Sequence, residues 1–317
     1  MSTMNWCAQH LPDLSRRRAL VTGGASGLGF QTALGLASRG AQVIVADRNI
    51  DGGRDAVARI RAQCPQARAE FRALDLADLA QIRRLAEGLN AEGAILDILV
   101  NNAGILPPLQ RRTTRDGFEL KFGINVLGHY ALTGLLLPAL RRAPAARVVW
   151  VSSLVHRHAK IDFDDLNAER RYEPQRAYNQ AKLACLMLAM ELHHRAAACG
   201  SRILGVAAHP GISRTAIGDT RRSEQRRRLR DYFEAAAFWL AMHGFGQEAE
   251  QGALPILRAA AGDGVRSGEF YGPDGFAEFA GAPTTVKLSK PALDAAQRAR
   301  LWAECERLTG VRYEALA

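Results

Sequence analysis

The sequence is poor in cysteine and in aromatic residues. Its five cysteines are scattered, odd in number and never spaced as Cys-x-x-Cys, so neither a disulfide framework nor a metal site is expected. Aromatic residues make up 7% and hydrophobic residues 48% of the chain, which favours an Ala/Leu/Val-rich α/β protein over an all-β one. No run of eighteen apolar residues occurs, and residues 1–14 lack the pattern of a secretion signal. We therefore expect a cytoplasmic protein without a transmembrane segment.

Lysine is also scarce, yet the chain is basic. The formal net charge is +10 and nearly all of it comes from arginine. The one dense cluster, residues 221–230, is interrupted by Glu224 and has no interleaved aromatic residues. We interpret it as a solvated helix face and expect no nucleic-acid partner, with an acidic substrate or partner as the alternative.

Short apolar runs alternate with longer helical segments. The runs lie near residues 19–21, 43–45, 71–74, 95–100, 148–151 and 203–207, and two of the helices between or after them cover about 118–140 and 177–198. Strands that alternate with helices predict βαβ units with right-handed crossovers. The predicted fold is a Rossmann-type, doubly wound parallel sheet with helices on both faces.

The rhythm of strands and helices suggests one domain over residues 19–317, preceded by an N-terminal extension, residues 1–18. Residues 212–245 interrupt that rhythm and are first basic and then apolar. We interpret them as a substrate-side insertion, since ligands of such sheets lie at the carboxyl ends of the strands. Its apolar half predicts a lid over an apolar substrate, and peripheral contact with a membrane surface is the alternative.

A glycine-rich segment, Thr22–Gly29, follows the first strand and opens a helix. Its glycines let the backbone turn tightly and approach a pyrophosphate, which the free N–H groups of a helix N-terminus bind. An ordinary tight turn is the alternative. The residues expected to contact a dinucleotide are Gly23, Ser26, Gly27, Leu28 and Gly29.

Two further strand ends carry candidate cofactor ligands. Asp47 ends the second strand, where a carboxylate accepts hydrogen bonds from the ribose hydroxyls and repels a 2′-phosphate, which favours NAD. Arg48 follows at once and would instead attract that phosphate, so NADP is the alternative. Asp75 and Leu76 close the third strand, where we expect them beside the adenine. Each pair also fits a simple turn.

Loops after later strands complete the predicted cofactor site. Asn102, Ala103 and Gly104 follow the fourth strand at the same sheet edge, although Asn and Gly also suit a plain turn. Pro210 and Gly211 follow the sixth strand and are predicted to lie over the nicotinamide. Thr215 is predicted to reach its carboxamide.

Tyr178 and Lys182 form the most informative pair. Four residues apart on a helix, they share one face with Cβ atoms about 5–6 Å apart. Free tyrosine ionises near pH 10, and an ammonium at about 4 Å in an effective dielectric of about 20 favours the phenolate by about 4 kcal/mol. The pair therefore predicts a tyrosine acid–base.

Two more side chains are candidates for the same crevice. Ser153 ends the fifth strand, where its hydroxyl would bond a carbonyl or alkoxide oxygen; Ser152, on the opposite pleat, is the lesser candidate. Asn125 lies inside a predicted helix, where asparagine is unfavourable. It is either a hydrogen-bonded core amide or the holder of a water beside Lys182.

These motifs occur in an order that resembles the short-chain dehydrogenase/reductase family over residues 19 to about 313. They are TGGASGLG (22–29), NNAG (101–104), the helix of Asn125, VSS (151–153), YNQAK (178–182) and HPG (209–211). Residues 116–133 and 152–156 resemble the retinol-dehydrogenase-like and WW-domain-oxidoreductase-like branch of that family, and residues 268–275 resemble its bacterial relatives.

The resemblance implies reversible hydride transfer between a secondary alcohol or carbonyl compound and a nicotinamide cofactor. It implies Tyr178 as the acid–base, Ser153 as the oxyanion partner, Lys182 as tyrosine activator and ribose ligand, and Asn125 as holder of a proton-relay water. That branch usually prefers NADP and lacks an acidic residue where this chain has Asp47, so we predict NAD. A cofactor-binding regulator or scaffold without catalysis is the alternative.

The helix of Tyr178 reads as eight consecutive apolar residues from 183 to 190. A helix that is apolar all round must be covered on more than its sheet-facing side. We therefore predict a homo-oligomer that uses this helix and the helix of Asn125.

Overall fold

The computed structural model describes residues 6–105, 108–213 and 246–316. Nearly all of the predicted insertion, with its apolar lid, the arginine cluster and Thr215, lies outside these residues. The strands are β1 (Arg18–Thr22), β2 (Gln42–Asp47), β3 (Ala69–Ala73), β4 (Ile98–Asn101), β5 (Arg147–Val151), β6 (Leu204–Ala208), β7 (Phe270–Pro273) and β8 (Pro283–Thr285).

These strands form one sheet in the order β3-β2-β1-β4-β5-β6-β7-β8. Neighbours from β3 to β7 are parallel, and only β8 runs antiparallel, against β7. The predicted doubly wound sheet is confirmed. Its strand order reverses beside β1, so the carboxyl ends of β1 and β4 frame the crevice where such sheets bind ligands.

Helices cover both faces of the sheet. They are α1 (Gly27–Ser38), α2 (Ile50–Gln63), α3 (Leu79–Ala91), α4 (His129–Leu135), α5 (Leu137–Arg141), α6 (Pro174–Ala198), α7 (Ala249–Ala261), α8 (Lys290–Leu293) and α9 (Ala295–Thr309). One apolar layer joins the sheet to α1, α2 and α7, and the other joins it to α3, α4, α6 and α9. Leu11 and Leu14, inside the predicted extension, are buried in the first layer, so the core begins before residue 19.

The predicted helix over 118–140 is not continuous. A π-helical segment, Phe122–Gly128, precedes α4. Helix α5 begins at Leu137, after a break at Leu136, and has Pro138 in its first turn. The backbone at Gly128 passes so close to β3's loop that a Cβ there would lie 2.6 Å from the carbonyl oxygen of Leu76. The spacing of apolar residues carries no information about such close backbone contacts. The sequence pattern therefore predicted one continuous helix.

The apolar face of α6 is covered by the chain itself. Side chains from residue 183 to 190 are at most 4% exposed. Helix α9 packs against α6, and Trp302 and Tyr313 belong to the same apolar layer. The predicted homo-oligomer rests on the assumption that a second copy of the chain covers this helix. That assumption is wrong, because the C-terminal helix does so.

Candidate active site

The glycine-rich loop after β1 has the backbone geometry that a pyrophosphate site needs. Gly23 and Gly27 have φ values of +67° and +54°, a region that favours glycine. A Cβ on Gly29 would lie 2.1 Å from the carbonyl oxygen of Gly23, so the loop and the first turn of α1 pack without room for a side chain. The exposed side chain of Ser26, the N-cap residue, makes no capping bond, and the first turn has no acidic residue. The helix N–H groups are therefore suited to an anion.

Thr22 links this loop to the loop after β4, and its role was missed by the sequence analysis. Its hydroxyl accepts the N–H groups of Asn102 and Ala103, both at 3.0 Å. The amide of Asn102 donates to the carbonyl oxygen of Thr22 at 2.8 Å. The sequence showed Thr22 as the first letter of a motif, but only the pairing of β1 with β4 brings the two loops together.

Asp47 lies at the end of β2 beside the glycine-rich loop. Its carboxylate accepts the N–H groups of Ala25 at 3.2 Å and Asn49 at 2.9 Å. The carboxylate is therefore oriented by two backbone groups at the edge where an adenosine ribose would lie, while Arg48 is exposed. These residues fit a dinucleotide with its ribose at Asp47.

The other predicted cofactor residues divide into two groups. Leu76 is buried in the core, and the Asp75 carboxylate accepts the N–H of Ala77 at 2.9 Å, so this pair mainly shapes a turn. Gly211 has a φ of +64°, and the carbonyl oxygen of Pro210 accepts a hydrogen bond from Gln247 at 2.9 Å. The loop after β6 is thus held in a turn at the carboxyl edge of the sheet.

Lys182 is buried at the end of β5. It is 6% exposed, and its Nζ donates to the carbonyl oxygen of Val151 at 3.0 Å. Ser152, buried at the same strand end, donates its hydroxyl to the carbonyl oxygen of Lys182 at 2.8 Å. Ser152 is thereby committed to holding α6, whereas Ser153 is half-buried beyond it.

Tyr178 is half-buried one helical turn before Lys182 on α6. The two side chains share a helix face, as the spacing predicts. Because Lys182 reaches back to the end of β5, this face of α6 lies over the strand end that leads into Ser153. Tyr178, Lys182 and Ser153 are thus brought to one edge of the sheet.

Asn125 lies in the π-helical segment, with its side chain towards Lys182. Its Oδ1 accepts the N–H of Ile105 at 3.2 Å, and its buried Nδ2 has no hydrogen-bond partner within the described ranges. A Cβ placed on Gly104 would lie 3.5 Å from both Asn125 Oδ1 and Lys182 Nζ. Since a buried amide N–H is costly without a partner, this orphaned donor suits a water beside the lysine.

His129, which no sequence motif singled out, connects the π-helical segment to β1. Its Nδ1 donates to the carbonyl oxygen of Asn125 at 3.0 Å, and its Nε2 lies 2.8 Å from the Thr22 hydroxyl. Burial lowers the pKa of His129 to about 4. The ring is therefore neutral, with Nε2 as the acceptor for the threonine hydroxyl.

The described residues contain neither a membrane-spanning helix nor a metal-binding cluster. Over residues 6–105, 108–213 and 246–316, no helix combines the length and apolarity needed to cross a bilayer. The same ranges contain no group of three or more His, Cys, Asp or Glu side chains arranged to hold a metal ion.

Comparison with known proteins agrees with the geometry. The family model for short chain dehydrogenases matches residues 17–226. Mouse (Mus musculus) retinol dehydrogenase 13 is 37% identical over 93% of this chain and 84% of its own length. Mouse polyprenol dehydrogenase is 38% identical over 95% of this chain and 86% of its own length.

Two solved structures are also similar to this chain. A crystal structure of an uncharacterized protein from Mycobacterium paratuberculosis has a TM-score of 0.79 at 37% identity, covering 98% of this chain and 99% of that one. Pseudomonas aeruginosa RhlG, solved with NADP in its active site, has a TM-score of 0.60 at 28% identity, covering 80% and 93%.

The chain belongs to the short-chain dehydrogenase family. It is an NAD(P)-dependent oxidoreductase acting on CH–OH and C=O groups, as the resemblance in its motifs implied.

Proposed function

We propose that Tyr178 is the acid–base of this oxidoreductase, assisted by Lys182, Ser153 and Asn125. The observation that supports this most is the buried Lys182 ammonium, which is bonded at the end of β5 and shares a helix face with Tyr178. A cation in this position favours the phenolate form that proton transfer requires. Tyr178 and Lys182 lie on α6, whereas Ser153 lies in the turn after β5 and Asn125 in the π-helical segment.

In the oxidising direction, Tyr178 Oη takes the proton of the substrate hydroxyl while Ser153 donates a hydrogen bond to the same oxygen. In the reducing direction Tyr178 returns the proton to the forming alkoxide. When bound, the nicotinamide supplies or accepts the hydride. The Nδ2 of Asn125 holds a water, which passes the proton between Lys182 and solvent.

The cofactor is held by the glycine-rich loop and by the loops after β4 and β6. We propose NAD in preference to NADP, because Asp47 places a negative charge at the ribose edge and repels a 2′-phosphate. Gly23, Gly27 and Gly29 admit the pyrophosphate, and Lys182 also bonds the nicotinamide ribose. Thr215, which we predict at the carboxamide, lies outside the described residues.

For the substrate we propose a long apolar alcohol or the matching carbonyl compound. The relatives reported above are named for retinol and polyprenol, both extended apolar alcohols. The apolar half of the predicted insertion is consistent with such a substrate. The proposed substrate class can be tested by comparing retinol and a polyprenol with short polar alcohols. The rate with each alcohol is measured from the absorbance of NADH.

The deciding experiment is the Tyr178→Phe variant. We expect turnover to fall by at least about two orders of magnitude, the usual contribution of a general acid–base. Cofactor affinity should stay close to that of the wild type, because the ring remains. Tyr271→Phe is the matched control, since its hydroxyl bonds Glu269 elsewhere in the protein. Wild-type rates in Tyr178→Phe would refute the assignment.

Residues 19–317 as one domain, a cytoplasmic location and a homo-oligomer are further proposals from the sequence. Because α9 covers the apolar face of α6, an oligomer would need another surface than the predicted one. Light scattering over a wide range of concentrations tests the oligomer. A monomeric mass throughout would exclude it.

A further inference from the structure

His209, at the start of the loop after β6, is held in one tautomer. Its side chain is fully buried, and its Nε2 lies 2.9 Å from Glu278 Oε2. Its Nδ1 accepts the N–H of Gly211 at 3.2 Å. A carboxylate only accepts and a backbone N–H only donates, so Nε2 carries the hydrogen. Burial lowers the pKa of His209, which keeps the ring neutral.

The second oxygen of Glu278 faces a different loop. Its Oε1 lies 2.5 Å from the guanidinium of Arg157, in the turn Leu154–His158 that directly follows Ser153. His156, in the same turn, donates from Nδ1 to the carbonyl oxygen of Ser153 at 2.7 Å. The carboxylate of Glu278 therefore contacts both the turn behind Ser153 and the loop that starts at His209.

The backbone around Glu278 is strained. Ala277 and Glu278 have φ values of +50° and +61°. This left-handed conformation is energetically unfavourable for residues other than glycine. The next residue, Phe279, accepts the N–H of Ile212 through its carbonyl oxygen at 2.8 Å. The strained turn is thus held against the loop after β6 by backbone and side chain together.

We propose that Glu278 is a positioning residue that sets the distance between Ser153 and the loop Pro210–Ile212. The contacts Arg157–Glu278–His209, here called the Glu278 bridge, join the turn after Ser153 to the loop that we predict at the nicotinamide. This role rests on the proposed function of Ser153 and of the loop after β6. The strained backbone at Glu278 is explained if it places one carboxylate between two loops.

The two halves of the bridge have separable effects. The His209 half holds the loop at the cofactor, so its loss should weaken cofactor binding. The Arg157 half holds the turn of Ser153, so its loss should lower kcat and leave cofactor binding unchanged. Displacements of about 1 Å far from the reacting atoms can lower a rate by about a hundredfold, so we expect losses of about tenfold or more.

The experiment compares Glu278→Ala, Glu278→Gln and Arg157→Gln with the control Glu269→Gln. Glu269 is a matched control because it also bonds an arginine, Arg266, but lies before β7. NADH fluorescence titration gives the cofactor Kd, and steady-state rates with the retinol panel give kcat and KM. Thermal unfolding confirms that each variant is folded.

Glu278→Ala should raise the cofactor Kd and lower kcat, each by about tenfold. Glu278→Gln should restore the Kd to within about threefold, because the amide oxygen still accepts the His209 N–H. It should keep a low kcat, equal to that of Arg157→Gln, and the two substitutions combined should cost no more than either alone.

Unchanged Kd and kcat in Glu278→Ala would overturn the proposal. If the alanine variant is unfolded, an unchanged kcat in Glu278→Gln would overturn it. Additive losses in the Arg157→Gln and Glu278→Gln double variant would also overturn it, since they would mean that the residues act separately. The Kd measurement needs no turnover. Absence of activity in the wild type would therefore count against the proposed function alone, while the Kd still tests the His209 half.

Discussion

Gly29→Ala tests whether the close packing of the glycine-rich loop on α1 is what permits cofactor binding. The added Cβ would lie 2.1 Å from the carbonyl oxygen of Gly23 and 2.6 Å from the amide nitrogen of Asn102. Both contacts are far inside van der Waals distance, and the nearest atom belongs to the backbone. The loop must therefore move away from the helix N-terminus.

The size of the effect follows from those contacts. A displacement of about 1 Å is needed to restore an ordinary separation, and overpacking of this kind costs about 1–3 kcal/mol of stability. The same movement turns the loop N–H groups away from the helix N-terminus, where the cofactor pyrophosphate would bind. We expect cofactor affinity to fall by about ten- to a hundredfold, since a hydrogen bond to a charged group contributes about 1.5–3 kcal/mol.

Gly88→Ala is the matched control, because the substitution is identical and Gly88 is also helical. It is exposed in α3, and an added Cβ would meet no atom within 4 Å. Replacing an exposed helical glycine by alanine should stabilise the protein by about 1 kcal/mol. Urea unfolding gives the stability of both variants, and NADH fluorescence titration gives their cofactor Kd.

We expect Gly29→Ala to lower the free energy of unfolding and Gly88→Ala to raise it. Only Gly29→Ala should change the cofactor Kd. A Gly29→Ala protein that binds cofactor as tightly as the wild type would refute the reasoning. It would mean that the loop relaxes freely and that its observed packing does not shape the site.

Two further predictions concern charge and pH. Asp47→Asn should shift the ratio of kcat/KM values from NAD towards NADP by about ten- to a hundredfold, since a charge-assisted hydrogen bond contributes about 1.5–3 kcal/mol. Asp51→Asn is the control. An unchanged ratio in Asp47→Asn would contradict the role of Asp47. Burial lowers the pKa of His129 to about 4 in the folded protein. Between about pH 6.5 and pH 4, the histidine is therefore protonated in the unfolded chain but neutral in the folded protein. Stability is therefore highest above about pH 6.5 and falls as the pH drops towards 4, by about 2 kcal/mol from this residue at pH 5. Urea unfolding at pH 7 and 5 should show a smaller loss for His129→Gln than for the wild type, and an equal loss would rule out this source.

The strands were predictable where a short apolar run in the sequence coincides with a buried strand. The apolar runs at residues 19–21, 43–45 and 148–151 became β1, β2 and β5, and the observed bounds differ from the predicted ones by one or two residues only. The run from Ile95 was predicted too long, because Ile95 is 50% exposed and β4 begins at Ile98. Hydrophobicity alone does not distinguish a buried residue from an exposed one of the same type.

Candidate site residues were predictable where helix or strand geometry relates neighbours in sequence. Tyr178 and Lys182 share a face because a helix repeats about every four residues. Ser153 and Ser152 alternate at a strand end, and the structure places only Ser152 in a bond to the backbone of α6. These relations span one or two turns and need no knowledge of distant contacts.

Contacts between distant parts of the chain decided the rest. His129 meets Thr22 across 107 positions, and Glu278 meets His209 across 69. No periodicity or propensity specifies such pairs. They depend on which strands become neighbours and on the loops that those strands bring together.

The sequence by itself determined the class of fold, the family and the candidate acid–base, because period, motif order and helix spacing are local properties. The tertiary structure alone decided what covers α6, how Asp47 is oriented and which residues support the loops around the site. Burial and hydrogen bonding across the sheet are set by packing, and packing is a property of the whole chain. The predicted homo-oligomer shows the difference: the sequence correctly indicated that α6 needs a cover, and only the fold showed that the chain supplies it.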